Sequence, residues 1–225
     1  SNLKHRPVGL GIMGFQDALY LMDVGFDSEE AIKFADENME IFSYYAILSS
    51  SELAKERGAY ESYSGSKWDR GIFPVDTLDV LEKERGLPIE VARNGKLNWQ
   101  PVRESVKSHG MRNSNCLAIA PTATISNICG CFPSIEPIYK NLYVKSNMSG
   151  EFTVDNQYLI NDLKALGLWN STILEKIKAN DGSIKGVAAI PQRLRYRYKE
   201  AFEIEPEWTI KQAAHRGKWL DQSQS

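Results

Sequence analysis

The sequence from Arg112 to Pro137 reads Arg112-Asn113-Ser114-Asn115-Cys116-Leu117-Ala118-Ile119-Ala120-Pro121-Thr122-Ala123-Thr124-Ile125-Ser126-Asn127-Ile128-Cys129-Gly130-Cys131-Phe132-Pro133-Ser134-Ile135-Glu136-Pro137. Within it, residues 116–120 are a short apolar run bounded by polar residues, which predicts a buried strand ending at Ala120. Pro121 then opens a loop of small and hydroxyl residues, Thr122-Ala123-Thr124-Ile125-Ser126, leading into a short helix. Proline suits a turn or a first helical position, and the residues after it leave backbone N–H groups without intrahelical partners. Hydroxyls and free N–H groups at a helix N-terminus suit an anion, with phosphate the usual guest. An ordinary strand-to-helix turn with hydroxyl caps explains the same letters without a ligand.

Toward the N-terminus, Arg6-Pro7-Val8-Gly9-Leu10-Gly11-Ile12-Met13-Gly14 precedes an apolar-periodic run over residues 15–22. After a turn at Gly25, Ser28 reads as a helix start, with Glu29 and Glu30 at the positive end of the dipole. Ile32, Ala35, Met39, Phe42, Ala46 and Leu53 follow at helical spacing and predict one buried face, with Gly58 as the stop. A helix of about 30 residues runs roughly 45 Å, which suits a body larger than one small domain. Residues 58–74 form a Ser-, Tyr- and Gly-rich loop, and a charged helix is expected over 76–85. Another is expected over 100–108, with Pro101 in its first turn.

Toward the C-terminus, residues 138–145 predict a second strand. Helices are expected over 157–166, 172–179, 192–201 and 206–216. There is no internal repeat, no low-complexity tract and no linker, so the chain reads as one domain or part of one.

The 225 residues carry 27 Lys and Arg against 29 Asp and Glu, a net charge of -2, which argues against an electrostatic nucleic-acid binder. No apolar stretch approaches the ~18 residues that span a bilayer, so no membrane partner is expected. The three cysteines, Cys116, Cys129 and Cys131, exclude a disulfide scaffold and favour a reducing, cytoplasmic setting. The chain begins Ser1-Asn2 without Met and stops at Asp221-Gln222-Ser223-Gln224-Ser225, and both ends are expected to be cuts.

Gly9-Leu10-Gly11-Ile12-Met13-Gly14 matches the dinucleotide fingerprint, which would make the chain a nicotinamide-dependent oxidoreductase. That fingerprint needs a strand before it and an acidic residue at the end of a second strand, whereas Glu29 and Glu30 fall at a helix start. Tight helix packing is the simpler account. Cys129-Gly130-Cys131 invites a metal or redox reading, but His5, His109 and His215 are scattered, so no metal is expected and packing is preferred. Tyr44 and Tyr45 point about 100° apart on a helix, which favours packing over radical relay. The sequons at Asn147 and Asn170 mean little without a secretory signal. A non-catalytic helical scaffold remains the non-enzymatic alternative.

Beyond local physics, the sequence resembles the large, catalytic subunit of class I ribonucleotide reductase. The resemblance rests on six segments in family order. They are Arg6-Pro7-Val8-Gly9-Leu10-Gly11, Glu52-Leu53-Ala54-Lys55-Glu56, Gly110-Met111-Arg112-Asn113-Ser114, Pro121-Thr122-Ala123-Thr124, Ser134-Ile135-Glu136-Pro137 and Asp221-Gln222-Ser223-Gln224-Ser225. It covers essentially the whole chain.

The resemblance implies an α/β fold, part of a ten-stranded α/β barrel, helix-rich in this fragment, with residues 1–225 in the barrel domain and no second domain. It implies that Pro121, Thr122, Ala123, Thr124 and Ile125 bind the diphosphate of a ribonucleoside diphosphate substrate. The glycine triplet becomes the start of a barrel-packing helix. The family's radical cysteine, its reducing cysteine pair and the assisting Asn and Glu would precede this chain. The radical-transfer tyrosines and C-terminal redox cysteines would follow it. Cys116, Cys129 and Cys131 match none of those positions, so the chain has no catalytic residues of its own and is expected to be inactive alone. It binds no cofactor itself. Its implied partners are the remaining segments of the large subunit and a metal-containing small subunit that generates the radical. A thioredoxin- or glutaredoxin-type reductant is implied as well.

Overall fold

The computed structural model describes residues 2–148 and 150–224. Ser1 and Ser225, on which the chain-end readings touch, and Ser149 of the first sequon lie outside the described residues. In chain order the helices are α1 (Asn2–His5), α2 (Phe15–Leu21), α3 (Glu29–Arg57), α4 (Thr77–Arg85), α5 (Gln100–His109) and α6 (Ile125–Cys129). Strands β1 (Leu142–Asn147) and β2 (Gly150–Asp155) follow, then α7 (Gln157–Ala165), α8 (Ser171–Ala179), α9 (Gln192–Arg197) and α10 (Pro206–Gly217), with a 3-10 turn at Ala201–Glu203 before α10.

Helix ends obey the local chemistry. The Ser28 hydroxyl accepts the Ala31 N–H at 3.1 Å, capping α3. Gly58, at φ 78°, donates to the Ala54 carbonyl and ends it. Asn156 caps α7 through the N–H groups of Tyr158 and Leu159, and Asn170 caps α8 through that of Ile173. The Asn170 sequon is therefore a helix cap.

The chain divides into two compact units. The first comprises Ser1–Ile12, Ile32–Thr122 and Thr209–Ser225. Its centre is a ladder of three short parallel segments. Leu10 bridges Leu117, and Ile119 bridges Gln224, with Leu117 fully buried and Ile119 nearly so. The strand expected over 116–120 is thus present as two isolated bridges, because its partners sit near opposite ends of the chain and overlap it only briefly. On α5, Val102 and Val106 lie one helical turn apart and both are buried. Two acids on α3 anchor the loops around it. Glu40 accepts N–H groups from Lys96, Leu97 and the Trp99 indole, and Asp36 accepts the Trp219 indole at 2.6 Å. The two indoles stack with planes 2° apart.

The buried face of α3 differs from the expected one. Ile32, Ala35 and Met39 are buried, but the line continues through Ser43, Ile47, Ser50, Ser51 and Ala54 rather than Phe42, Ala46 and Leu53. Two of the serines are held by partners: Ser51 bonds Ser105 at 2.8 Å, and Ser50 donates to Asn113 at 3.0 Å. Small hydroxyl residues permit close packing that an apolar count overlooks. Tyr44 packs on Trp99, whereas Tyr45 is exposed rather than a core residue.

The second unit comprises Met13–Ala31 and Ala123–Trp208. Leu159 and Leu163 of α7, Ile173 and Ile177 of α8 and Leu194 of α9 close over Tyr20 and Tyr198, and each aliphatic side chain so buried contributes about 1.5–3 kcal/mol. Strands β1 and β2 form an antiparallel hairpin, registered from Leu142 opposite Asp155 to Asn147 opposite Gly150. The second strand expected from residue 138 begins four residues later, at Leu142. Residues before it are held otherwise: the Ile138 carbonyl accepts the Ala201 N–H and Asn141 donates to Glu200. Helix α9 stops at Arg197 instead of residue 201, because Glu200 and Glu203 form a capping box that starts the 3-10 turn.

Candidate functional site

The segment that leads into the loop is fixed first. The Asp221 carboxylate accepts the Cys116 N–H at 2.7 Å and the Leu117 N–H at 2.8 Å, and Gln222 donates to the Leu117 carbonyl at 3.3 Å. Burial raises the Asp221 pKa even though these N–H groups oppose the shift. The Cys116 thiol is pushed up to about 12 by burial and then by the Asp221 charge. It is a packed thiol, not a reactive one.

After Ile119 the chain surfaces. Pro121 is exposed, and Thr122 adopts φ 51°. That left-handed conformation is rare for a β-branched residue and stores strain of order 1–3 kcal/mol. Ala123 and Thr124 complete the turn, and the Asn127 amide donates to the Ala123 carbonyl at 2.8 Å, tying the loop to α6. Thr124 occupies the N-cap position of α6, yet its hydroxyl makes no cap hydrogen bond and the residue is exposed. The first-turn N–H groups of α6 therefore have no side-chain cap from Thr124. Ile125 is 52% exposed. Gly130 ends the helix at φ 69°, donating to the Ser126 carbonyl. The hydroxyl-cap alternative thus fails at Thr124, and the loop is a strained turn at half-buried Thr122 followed by an exposed Thr124 that does not cap α6.

In the second unit, the stretch after α6 is held by a residue that the sequence motifs did not single out. Asp17 accepts the Phe132 N–H at 2.7 Å and the Tyr158 hydroxyl at 3.1 Å. Gly14 donates to the Phe132 carbonyl at 2.8 Å. Acidic placement in the first turn of α2 was the available signal, shared with many helices. Cys129 is exposed and Cys131 partly so. Burial first, then the Asp17 and Cys129 charges, raises the Cys131 thiol.

The fingerprint glycines serve packing. A Cβ on Gly11 would lie 2.4 Å from the Ala118 carbonyl oxygen, and Gly14 is the left-handed N-cap of α2 at φ 79°. Helix α2 is followed by α3 with no strand between them, so the strand-helix-strand frame of a dinucleotide site is not formed.

Parallel strand segments leading into an exposed turn, in a helix-rich chain, are the arrangement of a segment of an α/β barrel. The family model of the ribonucleotide reductase barrel domain matches residues 1–225, and the chain belongs to that family. It is 55% identical over 222 residues to the ribonucleoside-diphosphate reductase subunit alpha of Chlamydia pneumoniae, covering 98% of this chain and 21% of that protein. It is 39% identical to the ribonucleoside-diphosphate reductase large chain of Cryptosporidium parvum, over 100% of this chain and 27% of that one. The alpha subunit of a class Id ribonucleotide reductase from Actinobacillus ureae superposes with a TM-score of 0.72 at 26% identity, over 99% of this chain and 33% of that one. The chain spans only about a fifth to a quarter of the curated relatives' length. Fold class and family agree with the resemblance read from the sequence.

Proposed function

We propose that this chain is part of the catalytic subunit of a ribonucleoside-diphosphate reductase, which reduces ribonucleotides to deoxyribonucleotides by radical chemistry. Its own part is to hold the substrate diphosphate through the Thr122 and Thr124 hydroxyls and the first N–H groups of α6. The observation that carries this reading is the strained turn at Thr122, followed by the exposed Thr124 that leaves α6 uncapped, in a chain matched to the barrel domain from end to end. Strain of this kind persists where the surroundings require a particular backbone shape, and it clusters at ligand clamps. Both compact units are read as parts of one barrel domain.

The chemistry asked of the loop is positioning. Charge-assisted hydrogen bonds from hydroxyls and amides to phosphate oxygens fix the distal end of the substrate. Fixing that end holds the ribose at a set distance from the radical-bearing group, converting part of the barrier into binding entropy already lost. The thiyl-forming cysteine, its reducing pair and the radical-generating small subunit belong to other segments and partners. A thioredoxin- or glutaredoxin-type reductant would restore the cysteines. The cytoplasm suits three free thiols, and no described helix is long and apolar enough to cross a membrane.

The test is reconstitution. The chain with small subunit and reductant is expected to give no deoxyribonucleotide, and addition of the rest of a large subunit is expected to restore turnover. Turnover by the chain without those segments overturns the reading.

A further inference from the structure

A cluster of cationic side chains lies in the first unit, and none of its residues belongs to the loop at Pro121–Ile125. Arg6, Arg57 and Arg112 line one open cavity of about 330 Å³, with Asn113 beside them and Val8 and Leu53 as an apolar wall. Three separate stretches of chain deliver them: the residues after α1, the last turn of α3 and the approach to the ladder segment. Arg112 is pre-oriented, since one of its Nη atoms donates to the Arg57 carbonyl at 2.9 Å and to the Gly58 carbonyl at 3.1 Å. Asn113 fixes the neighbouring turn by donating to the Arg6 carbonyl at 2.9 Å, where Arg6 sits at φ 48°.

No ion pair joins any of the three guanidinium groups to an acidic side chain among the described residues, whereas other arginines here have one, as Arg103 does with Asp76 and Arg197 with Asp162. The Arg112 pKa is lowered by burial and then by the Arg6 and Arg57 charges, with no carboxylate opposing them. Three like charges around one concavity repel each other unless an anion sits between them.

We propose that this cavity binds a multivalent phosphate anion, of the pyrophosphate or oligophosphate class. A single carboxylate from a neighbouring segment would leave two of the three charges uncompensated, whereas a pyrophosphate group offers enough oxygens for several guanidinium forks at once. The cavity has room beyond the phosphates, and Val8 and Leu53 give an apolar surface for an organic group attached to them. This site does not depend on the substrate-loop reading: it uses other residues and lies wholly within the first unit.

The experiment is calorimetric titration of inorganic pyrophosphate into the 225-residue chain, repeated in the assembled large subunit, for the parent, R57Q, R112K and T124V. Arg57 is exposed and its side chain makes no hydrogen bond or ion pair among the described residues, so R57Q tests charge without unfolding the chain; a matching thermal midpoint confirms this. R112K retains charge and loses the fork. The expected result is a roughly ten-fold or larger loss of one class of pyrophosphate sites in R57Q and in R112K, with that class retained in T124V. Undiminished binding in R57Q overturns the proposal, as does an acidic side chain of another segment seated among the three arginines in the assembled subunit. A failed substrate loop would appear separately, as no effect of T124V.

Discussion

Asp221, near the end of the described chain, holds Leu117 in place by accepting its N–H at 2.8 Å and that of Cys116 at 2.7 Å through the two oxygens of one carboxylate. This clamp fixes the segment from which Pro121 and Thr122 emerge. The segment that ends at Thr122 therefore inherits its position from a residue about a hundred positions later, through direct hydrogen bonds from Cys116 and Leu117 to Asp221.

Asp221→Asn is expected to lower stability at neutral pH by about 1.5–3 kcal/mol, since one buried N–H loses a charged acceptor. The pH dependence has a definite sign. Burial raises the Asp221 pKa above 3.8, so the native state holds this proton to higher pH than the unfolded chain does. The proton-linked part of its contribution is fully present below 3.8 and is lost as pH rises through the raised native value, while the hydrogen bonds to Cys116 and Leu117 remain. The stability gap between parent and D221N should therefore narrow from acid toward neutral pH, as read by urea unfolding at a series of pH values. A gap that widens over that range contradicts this account.

Gly11→Ala is expected to destabilise by about 1–3 kcal/mol, because its Cβ would stand 2.4 Å from the backbone oxygen of Ala118 and force the ladder segment to shift. Gly186→Ala is the control: a Cβ there meets nothing within 4 Å, and the change should be neutral or slightly stabilising. Thermal midpoints of the two variants decide it. Equal effects would mean that the glycine triplet serves something other than close packing.

The three thiols should react in a fixed order. Cys129 is exposed and is expected to alkylate first, Cys131 more slowly, and Cys116 only on unfolding. Cys116 combines burial with a pKa near 12 against an ordinary 9.0, which leaves roughly a thousand-fold less thiolate at pH 8. Timed iodoacetamide labelling followed by mass spectrometry reads the order. Fast modification of Cys116 in the native chain would contradict the packed ladder.

Much of the helical content was legible because period and end signals coincide. Ser28 and Gly58 bracket α3, and Pro101 falls in the first turn of α5 as its fixed φ requires. The strands were harder. Nothing local reports that residue 117 pairs with residue 10 and residue 119 with residue 224. Strand β2 escaped notice because every residue from Gly150 to Asp155 but one is exposed, so no apolar alternation marks it. On α3, Ser43, Ser50 and Ser51 occupy the buried line that Phe42 and Leu53 were expected to fill, and polarity alone ranks them the wrong way. The loop at Pro121 was visible as chemistry, in hydroxyls after a proline. Its left-handed Thr122 and uncapping Thr124 were not, since both are backbone outcomes with no letter of their own.

The central claim is that the Thr122–Thr124 turn holds substrate phosphate, and equilibrium binding to the assembled large subunit tests it most directly. The affinity of a ribonucleoside diphosphate, and of the same nucleoside without phosphates, should be measured for the parent, T124V and T124S. The account predicts a roughly ten-fold weaker diphosphate complex in T124V, recovery in T124S and no change for the bare nucleoside. Equal diphosphate affinity in all three proteins would contradict it.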